Sequence, residues 1–456
     1  MTADGVHAAT AKMGAAGMPA EAIRTFAHAY EQLRAGASGT LPDRDLEPVR
    51  DVPRAVDLPP RDPGDALDRV AIVKLNGGLG TSMGMTRAKS LVEAREGLSF
   101  LDVIARQTLG LRARHGVRLP LVLMNSYRTR DDTLAALERY PDLRTDVPLD
   151  FLQHREPRIR ADDLAPVEWP QDPELEWCPP GHGDLYPALR SSGMLAALLD
   201  RGYRYAFVSN VDNLGAELDS ALLAWFAGAG APFAMEVVVG TEADRKGGHI
   251  ARRTQSGRLV LRETAQADDP ESFRDFRRWR YYNSNNLWMD LRAVAAVLDS
   301  GGGVIDLPLI VNRKRVDPHD ASSPEVVQLE TAMGAAIGAF DGARAVCVPR
   351  TRFAPVKTTD DLLVLRSDVY RLTDDARVEP RADAPFVELD REHFGGLAAF
   401  EARFAAGPPS LIECERFVVR GDVTFGAGVV ARGAVEVTAP PGAPLRVPDG
   451  AVLGGS

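Results

Sequence analysis

The run Val70-Ala71-Ile72-Val73-Lys74-Leu75-Asn76-Gly77-Gly78-Leu79-Gly80-Thr81-Ser82-Met83-Gly84, with Lys89 shortly after it, constrains this chain more than any other segment. A β-branched apolar strand runs directly into a loop in which Gly77, Gly78, Gly80 and Gly84 fall close together. Glycines let a backbone adopt positive φ and approach a bulky anion closely, and successive N–H groups in such a loop form an anion-binding nest. A tight turn after a buried strand is the plainer alternative. The spacing matches neither G-x-x-x-x-G-K-[ST] nor G-x-G-x-x-G, so the mechanics of those two loops do not transfer. On physical grounds the loop is a phosphate or nucleotide cradle of a third kind.

Around this loop the chain alternates strand and helix. Strands are expected at Val70–Leu75, Leu119–Asn125, Tyr205–Asn210, Phe233–Val239 and Ala345–Val348, and helices at Leu101–Arg114, Asp131–Arg139, Met194–Asp200, Ser220–Phe226, Val326–Phe340 and Asp360–Tyr370. Such alternation gives an α/β domain with a mostly parallel sheet covered on both faces, and ligands in these sheets lie beyond the carboxyl ends of the strands. Both the glycine loop and Asn210-Val211-Asp212-Asn213 follow strands and fall on that edge. Ahead of this region, Ala20–Leu33 has helical spacing with Ile23, Phe26, Ala27, Tyr30 and Leu33 on one stripe, and residues 35–65 hold six prolines and read as an extended connector. At the other end, Leu411, Phe417, Val423, Val429, Val435, Val447 and Leu453 share a six-residue phase among interspersed glycines. That is the pattern of a left-handed parallel β-helix, with a small β-meander as the alternative, and short solenoids often self-associate through an exposed end. The expected division is residues 1–67 as helical segment and connector, 68–385 as catalytic domain and 386–456 as C-terminal β-helix.

Bulk properties narrow the function. The 456 residues suffice for two or three domains, and a net charge of −10 argues against nucleic acid and anionic membranes as partners. Three well-separated cysteines, no basic start with an apolar core and no apolar run of spanning length point to the cytoplasm.

Four further clusters carry candidate chemistry. Asp212, at a strand end, either caps a turn or holds a cation such as Mg²⁺, which favours carboxylates together with substrate phosphates. In Pro179-Pro180-Gly181-His182-Gly183-Asp184 a stiff turn presents a histidine between glycines, able to donate to a phosphate or sugar oxygen or to serve structure alone. Asn283-Ser284-Asn285-Asn286 supplies amides that can read hydroxyls or simply turn the chain. Lys357, in the basic loop 350–360, can neutralise phosphate or be a solvated surface charge.

Taken together, these segments resemble the UTP–glucose-1-phosphate uridylyltransferase (UDP-glucose pyrophosphorylase) family. Leu75–Gly84 matches its signature loop and Ala88-Lys89-Ser90 the end of that signature. Met124-Asn125-Ser126, Pro157-Arg158-Ile159, Pro179–Asp184, Ser209–Ala216, Asp244–Gly248, Asn283–Trp288, Gln328–Ala332, Val348–Arg350, Arg352-Phe353, Pro355–Thr359 and Gly421–Gly426 follow in family order, so the likeness spans about residues 70–455. The resemblance implies a Rossmann-like, GT-A-like nucleotidyltransferase fold that joins UTP and glucose 1-phosphate with Mg²⁺. It also implies roles. Backbone groups of Leu75, Asn76, Gly77 and Gly78 hold the nucleotide, Gln153 reads uracil with Gly181 beside the base, and Lys89 grips phosphates. Asn210 and Asp212 contact the nucleotide, and Asp212 also holds the metal. His182, Asn283 and Asn285 contact the sugar phosphate, and Lys357 draws the two phosphate groups together. One departure lies inside the signature: eukaryotic members carry Cys-Lys-Gly-Pro-Lys-Ser where this chain has Met85-Thr86-Arg87-Ala88-Lys89-Ser90, so the first lysine is replaced. A pyrophosphorylase for another sugar is the nearest rival, although such families have Leu-Ala-Gly-Gly in place of Leu75-Asn76-Gly77-Gly78. A catalytically silent scaffold that assembles through the C-terminal segment is the rival of a different class.

Overall fold

A computed structural model describes residues 4–37 and 39–455; residues 1–3, 38 and 456 lie outside the described residues. Eight strands carry the architecture: β1 (Val70–Asn76), β2 (Leu121–Asn125), β3 (Asp150–Leu152), β4 (Tyr205–Asn210), β5 (Phe233–Val239), β6 (His249–Arg253), β7 (Tyr281–Asp290) and β8 (Arg344–Cys347). They belong to one ten-stranded mixed sheet. In it β4, β1, β2 and β3 run parallel side by side, and β5 pairs in parallel with β8. Between these two groups lies β7, antiparallel to both β4 and β5.

The sheet is buried on both faces, as near-continuous apolar strands require. Along β1, Val70 and Ile72 join a core with Phe207, Trp288 and the helix Phe100–His115, while Ala71 and Val73 join a second core with Val208, Met235 and the helices Met194–Asp200 and Leu291–Ser300. Local sequence sets the helix ends. Ser99 and Asp102 form a reciprocal capping box at the start of Phe100–His115, and Gly116 closes it at φ 67°.

The expected strands are all present, with ends moved by a residue or two. One expected helix is not. Val326–Phe340 is a strand, Glu325–Thr331, followed by a short 3₁₀ turn, Met333–Gly338. The β-branched Val326 and Val327 favour extended backbone, and they and Leu329 are buried there. In the alanine-rich part, Gly334 packs so tightly that a Cβ would meet Leu261 Cδ2 and Met235 Cε at 2.9 Å, and glycine also weakens a helix interior. The asparagine cluster, read as a possible turn, lies on β7.

The N-terminal segment is not a detached arm. The helix Ala20–Arg34 buries Phe26 and Tyr30 against Ile159, Leu309, Val327 and Leu329. The proline-rich connector adds a short strand, Leu46–Pro48, antiparallel to β6. At the C-terminus the strands pair in parallel, Phe417 opposite Val435, Val423 opposite Leu445 and Val430 opposite Val452. Leu411, Phe417, Val423, Val429, Val435 and Val447, all on the six-residue phase, are buried. Among the described residues no helix is long and apolar enough to cross a membrane.

Candidate active site

The C-terminal ends of β1, β2, β3 and β4 face one edge of the sheet, and the candidate residues gather there. Asn76 ends β1 with a buried amide that donates to Asn125 Oδ1 at 2.8 Å and to Thr133 Oγ1 at 2.9 Å. Its carbonyl accepts from Thr129 Oγ1 at 2.7 Å, and the Leu75 carbonyl accepts from Val211 N at 3.2 Å. The junction of strand and glycine loop is thus fixed to two neighbouring strand ends. Gly80 and Gly84 take φ values of 64° and 68°, which turn the chain back so that Lys89 N donates to Gly78 O at 3.1 Å. Arg87, at the departure from the family signature, is exposed.

Lys89 Nζ donates to Asp212 Oδ2 at 2.7 Å, and both side chains are largely buried. Asp212 Oδ1 is buried and has no hydrogen-bond partner among the described residues. An orphaned carboxylate oxygen of this kind marks a place for a cation. Among the described residues no three His, Cys, Asp or Glu side chains assemble into a metal cage. A hard ion here would therefore share one carboxylate with oxygens of the substrate, which is the habit of Mg²⁺ at phosphate sites. Asn210, the last residue of β4, stands opposite Leu75 and starts the turn that carries Asp212.

A second loop docks on this turn. Val356 N donates to Asp212 O at 3.0 Å, and Asn213 pairs with Pro355 in an isolated antiparallel bridge. This brings the exposed Lys357 to the edge of the site; its backbone N–H donates to Asp361 Oδ2 at 2.7 Å. Beneath the loops, buried Lys74 donates to Ser209 Oγ at 2.7 Å and to Ala216 O at 2.8 Å. Burial pulls its ammonium down to about 7, with Glu217 opposing that shift.

A second group of candidate residues centres on Gln153. Its Nε2 donates to Gly181 O at 2.9 Å, and a Cβ on Gly77 would lie 2.6 Å from its Oε1. Gly181 has φ 77° and packs on Thr331 backbone atoms, so no other residue fits that turn. His182 Nδ1 accepts from Met333 N at 3.0 Å, which leaves the ring proton on Nε2 as a donor. Burial lowers this histidine to about 4, so the ring is neutral at ordinary pH.

The amides of Asn283 and Asn285 are locked together, Asn283 Nδ2 donating to Asn285 Oδ1 at 2.7 Å and Asn285 N to Asn283 Oδ1 at 2.9 Å. Asn285 takes φ 58° at a β-bulge, where the pairing of β5 with β7 shifts between Glu236 and Val237. Glu263 was not singled out from sequence, yet its carboxyl lies against Gly248, whose carbonyl accepts from Asn283 N at 2.9 Å. Burial pushes the Glu263 carboxyl up, and the charge of Lys357 draws it down.

The sequence motifs hold no Ser/His/Asp constellation, but folding assembles one. His154 Nδ1 pairs with Asp184 Oδ1 and its Nε2 with Ser191 Oγ, both at 2.8 Å. Ser191 ends the helix Leu185–Ser191, where the partial negative charge of the carbonyl end disfavours an oxyanion. Asp184 Oδ2 also accepts from His154 N at 2.7 Å, so the group braces the segment next to Gln153. A cavity of about 550 Å³ opens beside it, lined by Tyr127, Leu152, Gln153 and Met194, and does not reach Lys89, Asp212 or Lys357.

Known proteins resemble this chain in sequence and in fold. The family model described as UTP–glucose-1-phosphate uridylyltransferase matches residues 24–432. A UTP–glucose-1-phosphate uridylyltransferase of Hordeum vulgare is 40% identical over 469 residues, covering 99% of this chain and 95% of its own. The Saccharomyces cerevisiae protein of that name is 40% identical over 396 residues, covering 85% of this chain and 77% of its own. The crystal structure of a variant UDP-glucose pyrophosphorylase from Leishmania major in complex with UDP-glucose superposes with a TM-score of 0.94 at 41% identity, covering 99% of this chain and 98% of that one. With a model match across most of its length and relatives of this identity over nearly all of it, the chain belongs to the UTP–glucose-1-phosphate uridylyltransferase family.

Proposed function

We propose that this protein transfers the uridylyl group of UTP to glucose 1-phosphate, releasing UDP-glucose and pyrophosphate. The observation that carries the reading is the Lys89–Asp212 pair, with its unpartnered second carboxylate oxygen, on the same sheet edge as the glycine loop and the Lys357 loop. A phosphate oxygen of the sugar phosphate attacks the α-phosphorus of UTP, the bond from that phosphorus to the bridging oxygen breaks, and the electron pair leaves with pyrophosphate. The nucleophile is already ionised at neutral pH, so no general base is needed. The obstacle is repulsion between two anions, and the protein answers it by alignment and by charge.

In this reading the backbone of Leu75, Asn76, Gly77 and Gly78 cradles the nucleotide, and Gln153 reads uracil beside Gly181. Lys89 and Lys357 neutralise phosphate charge, and Asn210 and Asp212 hold the nucleotide. The neutral His182 donates from Nε2 to the sugar phosphate, while Asn283 and Asn285 meet sugar hydroxyls. Asp212, with substrate phosphates, would hold Mg²⁺, which supplies further charge neutralisation when bound. The parts at 68–385 form the catalytic unit in this account, and 1–67 buttresses it. The parallel strands after residue 386 form a left-handed β-helix through which copies of the chain associate. Three free, buried cysteines fit a reducing, cytoplasmic setting.

Pyrophosphate release from UTP, Mg²⁺ and a panel of sugar 1-phosphates tests the proposal. Release with glucose 1-phosphate, and little with the galacto or N-acetylated sugars, is the expected result. Preference for another sugar moves the assignment to that pyrophosphorylase, and silence throughout favours a non-catalytic scaffold.

A further inference from the structure

Below the site lies a buried ion pair that touches both halves of it. Glu236 on β5 is fully buried, and its carboxylate accepts four hydrogen bonds. Oε1 takes Trp288 Nε1 at 3.0 Å and Arg352 Nη2 at 2.8 Å, and Oε2 takes Asn286 Nδ2 at 3.0 Å and Arg352 Nε at 2.9 Å. These use all the acceptor positions of a carboxylate. The Glu236 carbonyl accepts from Ser284 Oγ at 2.7 Å, which closes the gap that the β7 bulge opens in the strand ladder. One residue thus holds the bulge bearing Asn283 and Asn285 by both its backbone and its side chain.

Arg352 links this bulge to the lysine loop. Its Nη2 also donates to Glu217 O at 2.8 Å. Its own carbonyl accepts from Asn213 Nδ2 at 3.0 Å and from Asn286 Nδ2 at 3.3 Å, and Asn213 Oδ1 accepts from Ala354 N at 3.1 Å. Thr351 O packs against Gly215 so closely that a Cβ there would lie 2.2 Å away. The turn carrying Asp212 and the loop carrying Lys357 therefore share one set of anchors with the sugar-facing bulge. A buried ion pair contributes little net stability, because desolvation offsets the attraction. What the planar guanidinium fork contributes is direction: two parallel bonds fix where the loop leaves the core.

We propose that Glu236 and Arg352 are positioning residues that hold the Asn283–Asn285 bulge in register with Asp212 and Lys357, and so set both the alignment of the attacking phosphate and the preference among sugars. The proposal rests on the sugar 1-phosphate reading of the site. Neither residue is assigned contact with substrate; each acts through the loop it fixes.

Arg352→Lys is the direct test, since it keeps the charge but loses the fork. The expected result, with purified full-length protein that melts cooperatively, is a fall in kcat of about tenfold or more. The KM for UTP changes by a smaller factor than kcat, because the glycine loop and Gln153 hold the nucleotide without touching Arg352, and the preference for glucose 1-phosphate over galactose 1-phosphate narrows. A lowered melting temperature with kcat and sugar preference unchanged would show a merely structural role and overturn the proposal. Should Arg352→Lys not fold, Ser284→Ala removes only the hydroxyl that donates to the Glu236 carbonyl at the bulge. A kcat loss of roughly threefold at constant UTP KM supports the proposal there, and unchanged kcat overturns it. Wild-type protein that releases no pyrophosphate from UTP and any sugar 1-phosphate refutes the functional reading and this proposal with it; an active wild type beside an unaltered Arg352→Lys refutes the positioning role alone.

Discussion

At the scale of single residues, where charge and protons sit governs what the site can do. Lys357→Ala should lower kcat by about 100-fold, the size expected for losing one preorganised electrostatic stabiliser, while the KM for UTP changes less. Steady-state kinetics across both substrates would show it, and wild-type turnover would remove Lys357 from the mechanism. His182 gives a pH prediction of definite sign. The folded protein keeps this ring neutral down to about pH 4, whereas the unfolded chain takes up a proton below about 6.5. The unfolded state therefore binds more protons between these values, so this contribution to stability is whole above 6.5 and is lost as pH falls toward 4. Urea melts of wild type and His182→Gln between those limits should show a shallower acid loss in the variant. Turnover should show no limb near 6.5 that disappears in His182→Gln. His182, Asn283 and Asn285 stand out in the sequence because each sits in a short glycine-, proline- or asparagine-rich run, and Lys357 because its loop is basic, whereas Gln153 enters only through the family resemblance. Glu236 and Glu263 carry no signal in the sequence, and Arg352 enters only as part of the family match Arg352-Phe353, because their significance comes from partners far along the chain. Arg352 and Glu236 are 116 positions apart, and nothing in either neighbourhood announces the other.

At the scale of elements, close packing decides what each turn can carry. The Gly77 position makes the sharpest case, because a Cβ there would displace the end of a flexible side chain rather than backbone. Gly77→Ala should therefore fold normally yet push Gln153 off Gly181, raising the KM for UTP about tenfold or more and weakening the choice of UTP over CTP. Paired KM measurements for the two nucleotides check this; unchanged discrimination would take uracil reading away from Gln153. Strands β1, β2, β4, β5 and β8 were readable from their apolar runs and most helices from their spacing, whereas the three-residue β3 was not expected. The failure at Val326–Phe340 has a physical cause. An alanine-rich run looks helical by propensity, but β-branched residues at its start pair with Leu309–Arg315, and Gly334 serves close contact with Leu261 and Met235. Propensity is local, and that contact is not. The same holds for β7, where amides that suggest a turn instead mark a bulge inside a ten-residue strand.

At the scale of the whole molecule, segments remote in sequence lean on the same edge. The proline-rich connector supplies a sheet strand and holds Cys347 N through Pro53 O at 2.8 Å. From the other end of the chain, Leu389 N donates to Asp360 Oδ1 at 3.0 Å, beside the Lys357 loop, and Gly396 lies next to Gly84 of the glycine loop. The α/β class was visible in the alternation of strands and helices. The docking of both ends onto the catalytic edge was not, because it depends on tertiary pairing that no periodicity records. The claim that unites these scales is a direct, non-covalent transfer aligned by fixed charges. Following UTP labelled with phosphorus-32 at the α position, and separately at the γ position, with glucose 1-phosphate tests it most directly. Direct transfer puts α-label only in UDP-glucose and γ-label only in pyrophosphate, and leaves none on the protein. Label bound covalently to the protein, or α-label released as UMP without a sugar nucleotide, would contradict it.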